Sequence, residues 1–487
     1  MGTDLTPTST TVQVNFRDEL RRIGSLTYQK TMDYTTTTTG SRPNGHAAAS
    51  ESSPLLGANG SALPASSPHG HAWHFFLDPT TTPGIDNHNP FVKFPARVWN
   101  VAKITLLSSW INLLLVFVPL GIWAGNNEWS APWVFSLNFF AIIPLAAVLS
   151  FATEEIAHRL GDTLGGLVNA TFGNAVELIV SIVALRAGEI EIVQASMLGS
   201  ILSNLLLVLG MCFLLGGIYN MRDGAGDGTE QSFATGTAQT TCSLMAISSA
   251  SMIIPAALYG VLDHADAADK ADSILFLSRG TSIILLLLYC MYLYFALYTH
   301  KKLFEPEEAV REANAEEEHD PLLGPWSAGF VLIVTTLIIS VCADHMVSSI
   351  DALVATGKIS KNFIGLILIP IVGNAAEHVT ACVVAVKNKM DLAMGVAIGS
   401  SIQIALLVTP SLVMLGWALG KPMTLHFETF ETIAFALSVI VVTYTVQDGK
   451  SNYLEGAMLI GLYIIIAVAF WASPAKALDT VVAMVSR

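Results

Sequence analysis

Charge is what this sequence has least of. Asp, Glu, Lys and Arg make up 13% of its 487 residues, about half the roughly 25% of an ordinary soluble domain. Cysteine is scarce as well. The five (Cys212, Cys242, Cys290, Cys342 and Cys382) are scattered through apolar stretches without a CxxC spacing. That excludes a disulfide framework or a zinc site and leaves them as small packing residues. No HExxH motif is present, so an intramembrane hydrolase has nothing to build on. No cleavable signal-peptide core precedes the first apolar span, which must itself target the chain to a membrane. The net charge of −14 comes largely from loops and argues against a nucleic-acid partner.

What is there instead is hydrophobic residues, 52% of the chain. They recur in stretches of about 20 residues, long enough to cross a hydrocarbon core about 30 Å thick. The chain therefore reads as an all-α polytopic membrane protein of about 11 transmembrane helices. Spans are expected near 102–124, 131–151, 163–186, 191–218, 239–262, 272–298, 326–347, 361–386, 391–419, 425–446 and 454–474. Residues 1–95 form a Ser-, Thr-, Gly- and Pro-rich tail that reads as disordered. Within it, FRDELRRIGSL (16–26) is a weakly amphipathic exception, and ESSPLL (51–56) has the form of an acidic dileucine signal for a sorting adaptor. A first span at 96–125 leads into a five-helix unit at 126–300. An acidic helix or loop (301–325), a second five-helix unit (326–475) and a short tail (476–487) follow. The acidic segment carries Glu307, Glu308, Glu312, Glu316, Glu317 and Glu318. It reads either as a solvated linker or as a cation-sensing helix at the membrane surface.

Lys and Arg favour one set of loops, with Lys93, Arg97, Arg159, Lys301, Lys302, Arg311, Lys387, Lys389 and Lys450 against Arg186, Lys270, Lys358 and Lys421. By the positive-inside rule the N-terminal tail and the acidic segment are cytosolic.

One stretch breaks the apolar pattern. GNAVEL, residues 173–178, puts Asn174 and Glu177 inside a span, where a charge costs from about 3 to above 10 kcal/mol. The anomaly recurs 200 positions later as GNAAEH, with Asn374 and Glu377. The same shift aligns Gly199-Ser200 with Gly399-Ser400, and Leu206-Leu207-Val208 with Leu406-Leu407-Val408. Two blocks in one register mark an internal duplication. Five crossings per copy, an odd number, turn the second copy over. Inverted repeats with a central site at their interface are a recurrent transporter plan.

The local residues suit an ion site. Gly and Asn weaken a helix and can turn backbone carbonyls toward a cavity, and Pro370 adds an irregularity in the second copy. Each Asn lies three residues before its Glu, on the same helix face. Ser200, Ser400, Ser203 and Gln403 add hydroxyl and amide oxygens, although small polar residues also serve helix packing. An all-oxygen set fits Ca2+, which takes six to eight oxygens, with Mn2+ as the alternative. His378, beside Glu377 but aligned with the apolar Leu178, is a packed histidine or a proton relay. Asp344 and His345 read as interfacial residues.

GNAVELIVSIVAL followed by QASMLGSILSNLLLVLG, and GNAAEHVTACVVAV followed by GVAIGSSIQIALLVTP, resemble the two signature repeats of the cation/H+ exchanger family. The likeness is greatest to its fungal vacuolar Ca2+/H+ exchangers and covers about residues 95–475. It implies movement of Ca2+ into a vacuole in exchange for H+, with Glu177 and Glu377 as principal ligands and proton carriers. On that reading Ca2+ and H+ are substrates, no cofactor is called for, and the chain is a carrier of the vacuolar membrane rather than an enzyme. A Na+- or K+-coupled exchanger shares the inverted repeat, and a Ca2+ channel would share the buried glutamates.

Overall fold

The computed structural model describes residues 82–85, 87–222, 228–262, 267–304, 321–355 and 359–472. The amphipathic segment 16–26, the dileucine-type segment 51–56, Lys358, the six acidic-segment glutamates from Glu307 to Glu318 and the tail 476–487 lie outside the described residues.

The chain divides into two compact units between Trp110 and Ile111. In the first, α1 (Pro90–Leu106) opens with proline at its first helical position, and the Asn89 side chain accepts from the Phe91 N–H, an ordinary N-cap. Lys103 is buried on this helix and donates to Thr82 Oγ1 at 3.0 Å. The span expected over 102–124 is not one helix. α1 ends at Leu106, where the Ser108 hydroxyl takes the Thr105 carbonyl at 2.9 Å. That local bond competes with the helix ladder.

The 3-10 turn Trp110–Val116 leads into the second unit and α2 (Phe117–Asn126). The first repeat then comprises α3 (Ala131–Phe172), α4 (Ala175–Ala187), α5 (Ile190–Leu202), α6 (Leu209–Tyr219), α7 (Thr235–Val261) and α8 (Ala267–Tyr294). Gly161, at φ 75°, breaks α3 into two arms, a conformation glycine adopts at no steric cost. The second repeat comprises α9 (Pro325–Ser348), the segment Lys361–Leu368 continuing into α10 (Ile369–Gly373), α11 (Ala375–Val386), α12 (Met390–Gln403), α13 (Thr409–Ala418), α14 (Thr429–Thr445) and α15 (Tyr453–Ala472). Among the described residues seven helices are long and apolar enough to cross a membrane, or up to ten if bent pairs count as one span. The shorter α14 is apolar too. Outward side chains such as Phe276, Ile284 and Leu287 on α8 are exposed, as expected of a surface that meets lipid rather than water.

Packing between the repeats is reciprocal. α9 lies on α3, α4 on α9 and α11 on α3; α15 lies on α6 and α8 on α13; α7 and α14 pair with each other. The loops give the orientation. At one end Lys361 Nζ meets Glu189 Oε2 at 2.7 Å and Asp351 Oδ1 at 2.8 Å, and Gln194 Nε2 donates to the Thr424 and His426 carbonyls. At the other end Gln231 Nε2 donates to the Ala385 carbonyl and to Asn388 Oδ1, and Asp391 accepts from the Ala234 N–H. A two-stranded ladder there pairs Gln231–Ser232 with Lys450–Ser451. So α4 runs outward to the Glu189 end, while its copy α11 runs to the Asn388 end. The repeats are inverted. Their turns use the two residue types that best accept a left-handed backbone: Gly188 at φ 90° and, 200 positions on, Asn388 at φ 61°.

Glycines knit the outer helices together. A methyl on Gly456 of α15 would lie 2.2 Å from the Leu214 backbone N and 2.6 Å from the Gly210 carbonyl oxygen of α6, so these helices touch backbone to backbone. Gly456→Val is expected to lower the unfolding temperature in detergent, with an overpacking cost of about 1–3 kcal/mol or more. Gly461→Val on the same helix, where nothing lies within 4 Å, should be close to neutral; equal melting curves would contradict this packing.

Candidate ion-binding site

Both signature motifs sit at helix breaks. After Phe172 the chain leaves helical geometry at Asn174 (φ −99°, ψ 27°) and restarts as α4, with a 42° bend. In the second repeat it does so at Asn374 (φ −89°, ψ 4°), with a 59° bend into α11. Glu177 and Glu377 therefore lie in the first turn of a half-helix, where exposed N–H groups and the helix dipole favour a negative charge. Asparagine is a favoured N-cap residue, yet neither Asn174 nor Asn374 caps its own helix.

The Asn174 side chain is turned to the other repeat. Its Nδ2 donates to Gln403 Oε1, and its Oδ1 lies 3.3 Å from Ser400 Oγ. The same Ser400 hydroxyl is 2.9 and 2.8 Å from the two Glu377 oxygens. With one proton to donate, Ser400 is shared between the carboxylate of its own repeat and the amide of the other. One half of the site is thus a connected set: Glu377, Ser400, Asn174 and Gln403.

The counterpart half is unconnected. Glu177 leans on the Gly373 backbone, where a methyl would come within 2.8 Å of its Oε1, and its buried Oε2 has no hydrogen-bond partner. Asn374 is fully buried, and neither its amide nitrogen nor its oxygen is bonded. Ser200 is buried too and makes no bond like those of Ser400; it shares a small cavity with Glu177, Val180, Ser196 and Gly373. Unpaired buried polar atoms cost on the order of 1–3 kcal/mol each. Here they are oxygen-rich and converge on both helix breaks.

The expected residues Glu177, Glu377, Asn174, Asn374, Ser400 and Gln403 are thus brought together at the two breaks, with Ser200 beside Glu177. His378 points to the opposite repeat, its Nε2 3.3 Å from Ser203 Oγ. Asp344 is exposed, whereas His345 packs against Gly125 of α2. Five features escape the sequence. π-helical turns at Ser203–Val208 and Ile404–Val408 follow the site residues in each repeat, and two others span Phe295–Thr299 and Ile364–Leu368. Such turns shift the register of the helix beyond them and often mark functional sites. The first two fall on the duplicated LLV block, the one signal that could have located them. Glu431, buried in the first turn of α14 three residues after the N-cap Glu428, also went unremarked.

Residues 130–298 and 327–472 match the family described as sodium/calcium exchanger protein, and these two blocks are the two repeats. A vacuolar calcium ion transporter of Schizosaccharomyces pombe is 49% identical over 379 residues, 78% of this chain and 88% of that protein. Vacuolar cation/proton exchanger 5 of Arabidopsis thaliana is 42% identical over 372 residues, 76% of this chain and 82% of its own length. Among solved structures, that of the selenium-substituted Ca2+/H+ antiporter protein YfkE superposes with a TM-score of 0.61 at 34% identity, covering 74% of this chain and 98% of that one. The family match spans more than half of the chain and both of its repeats, and the chain belongs to the sodium/calcium exchanger protein family.

Proposed function

We propose that this protein is a secondary antiporter of the vacuolar membrane that exchanges cytosolic Ca2+ for vacuolar H+ at a site shared by Glu177 and Glu377. The observation that carries the reading is the pair of carboxylates at inverted helix breaks, with Ser400 reaching from Glu377 to Asn174 of the other repeat. The names of the similar proteins, a vacuolar calcium ion transporter and a Ca2+/H+ antiporter, support the same choice of ions. Ca2+ is the preferred cargo over Mn2+ because its six to eight oxygen ligands can be gathered loosely. Among the described residues no group of three or more His, Cys, Asp or Glu converges. The two carboxylates therefore need the Asn174, Asn374, Ser200, Ser400 and Gln403 oxygens, with backbone carbonyls, to complete the shell.

Two carboxylates balance one divalent ion, and two protons replace it with no change of charge. Each tenfold gradient is worth about 1.4 kcal/mol, so two protons crossing about two pH units sustain about four decades of Ca2+. Neutralising the pair in either way lets the site reorient without carrying bare charge through a low-dielectric interior. His378, held to Ser203, is the candidate for passing protons on the Glu377 side. The Lys- and Arg-rich loops support an N-terminus in the cytosol, which puts the Asn388 end on that side.

Reconstituted into acid-loaded proteoliposomes, the protein is expected to release protons on addition of Ca2+ and to take up Ca2+ without a Na+ or K+ gradient. Uptake that follows Na+ or K+ instead would overturn the choice of coupling ion. Glu177→Gln and Glu377→Gln should each reduce exchange to background with folded protein retained; near-normal uptake in either refutes the site.

Ser400→Ala removes a charge-assisted bond worth about 1.5–3 kcal/mol, so apparent Ca2+ affinity should weaken by roughly ten- to a hundredfold. Ser200→Ala, which breaks no bond of that kind, should cost less. Equal effects in a Ca2+ titration of uptake would remove Ser400 from its bridging role.

A further inference from the structure

Inverted repeats contain two copies of every helix contact, and here one copy is made while the other is not. At the Glu189 end, α5 and the segment Lys361–Leu368 touch backbone to backbone. A methyl on Gly199 would lie 2.1 Å from the Leu366 carbonyl oxygen, and one on Gly365 would lie 2.7 Å from Ala195 Cβ. Shifting by 200 residues gives the equivalent contacts, Gly399 with Gly166 and Gly165 with Gly395. Neither exists. Around Gly395 and Gly399 nothing lies within 4 Å; Gly166 meets only the Leu297 side chain, and Gly165 only Ala157 of its own kinked helix. Ala195 and Gly199 are buried, whereas Gly395 is exposed and Gly399 half-buried. The gap runs alongside Glu377, which is itself part-exposed, while Glu177 is buried behind the tight contact.

We propose that Gly395 and Gly399 of α12, with Gly165 and Gly166 of α3, are the surfaces that meet when the Asn388 end closes, as Gly199 and Gly365 part at the other. This rests on the reading of the chain as an alternating carrier. Glycine inside a helix costs about 0.5–1 kcal/mol relative to alanine, and in this conformation Gly395 and Gly399 gain no neighbour in return. Their twofold-related partners name what they are for. The conformation described here has the Glu377 side open and the Glu177 side shut. The four glycines give the opposite conformation the same close approach that Gly199 and Gly365 provide in this one.

A side chain at Gly399 therefore fits this conformation and obstructs the other. The test uses the full-length chain with its native cysteines replaced, after that background is shown to retain exchange. Val180→Cys reports on the shut side, whose cavity Val180 lines, and Thr380→Cys, at the equivalent exposed position, reports on the open side. Each is treated with a membrane-impermeant thiol reagent offered to both faces. Gly399→Val is expected to leave the protein folded and Thr380→Cys labelling unchanged or faster. Val180→Cys labelling and Ca2+ uptake should each fall roughly tenfold or more. Gly399→Ala should give the same pattern in weaker form and serves if the valine variant does not fold. Unchanged Val180→Cys labelling and unchanged uptake overturn the proposal. If labelling falls but the unmutated chain shows no proton-coupled Ca2+ uptake, the closure surface stands and the choice of ions fails.

Discussion

A carboxylate inside a bundle of apolar helices is tolerated only where polar groups surround it, and the interior of this protein is organised around two of them. Regular helices offer no free backbone donors or acceptors at mid-membrane. The chain supplies them by breaking two spans at Gly173-Asn174 and Gly373-Asn374 and restarting each as a half-helix with its glutamate in the first turn. Breaking a span has its own cost, since the freed groups need partners. The side-chain bonds found at the breaks, Asn174 to Gln403, Ser400 to Asn174 and Ser203 to His378, cross the repeat interface. Ser400 also closes on its own repeat through Glu377. The site and the interface therefore cannot be separated: the Ser400 hydroxyl that satisfies Glu377 also joins the repeats.

Symmetry explains the architecture and broken symmetry the state. Gln403 has the shorter Ser203 as its counterpart. The amide is long enough to reach Asn174, while Ser203 leaves Asn374 unbonded and meets His378 instead. One half of the site is consequently tied and the other is not, in a molecule whose backbone turns match so closely that Gly188 is answered by Asn388. Such differences in side-chain length give two related conformations unequal energies, which a single symmetric pair could not have.

Much of this was legible in the sequence because duplication leaves a register. GNAVEL and GNAAEH, read with the Gly-Ser and Leu-Leu-Val blocks, located both breaks and the residues that meet there. Parity of the crossings foretold the inversion that the Lys361–Glu189 and Gln231–Asn388 contacts display. Less was legible where backbone geometry departs from helix without a change in composition. The π-helical turns at Ile364–Leu368 and Ile404–Val408 are built from ordinary apolar residues, so hydropathy passes over them. The break in the first expected span was hidden for a similar reason. Leu106 to Trp110 remains apolar enough to read as continuous, and only the Ser108 hydroxyl taking the Thr105 carbonyl reveals the stop.

The ends of the molecule are held more firmly than its centre. At the Asn388 end, Glu155 of α3 accepts from two consecutive amides, Leu322 and Leu323, while Arg159 one turn on donates to the Leu323 carbonyl. A carboxylate and a guanidinium on one helix face thus grip the peptide that leads into α9, joining the first helices of both repeats through backbone groups. At the Glu189 end, Lys361 bridges Glu189 and Asp351. Charge-assisted bonds of this kind are about twice as strong as neutral ones. Between these fixed points lie the two Gly-Asn breaks and the π-helical turns at Ser203–Val208, Ile364–Leu368 and Ile404–Val408, where the helical ladder is already interrupted. Rotation there sacrifices few hydrogen bonds, whereas rotation at the ends would break charged ones. The fold is therefore most compliant where its two glutamates sit.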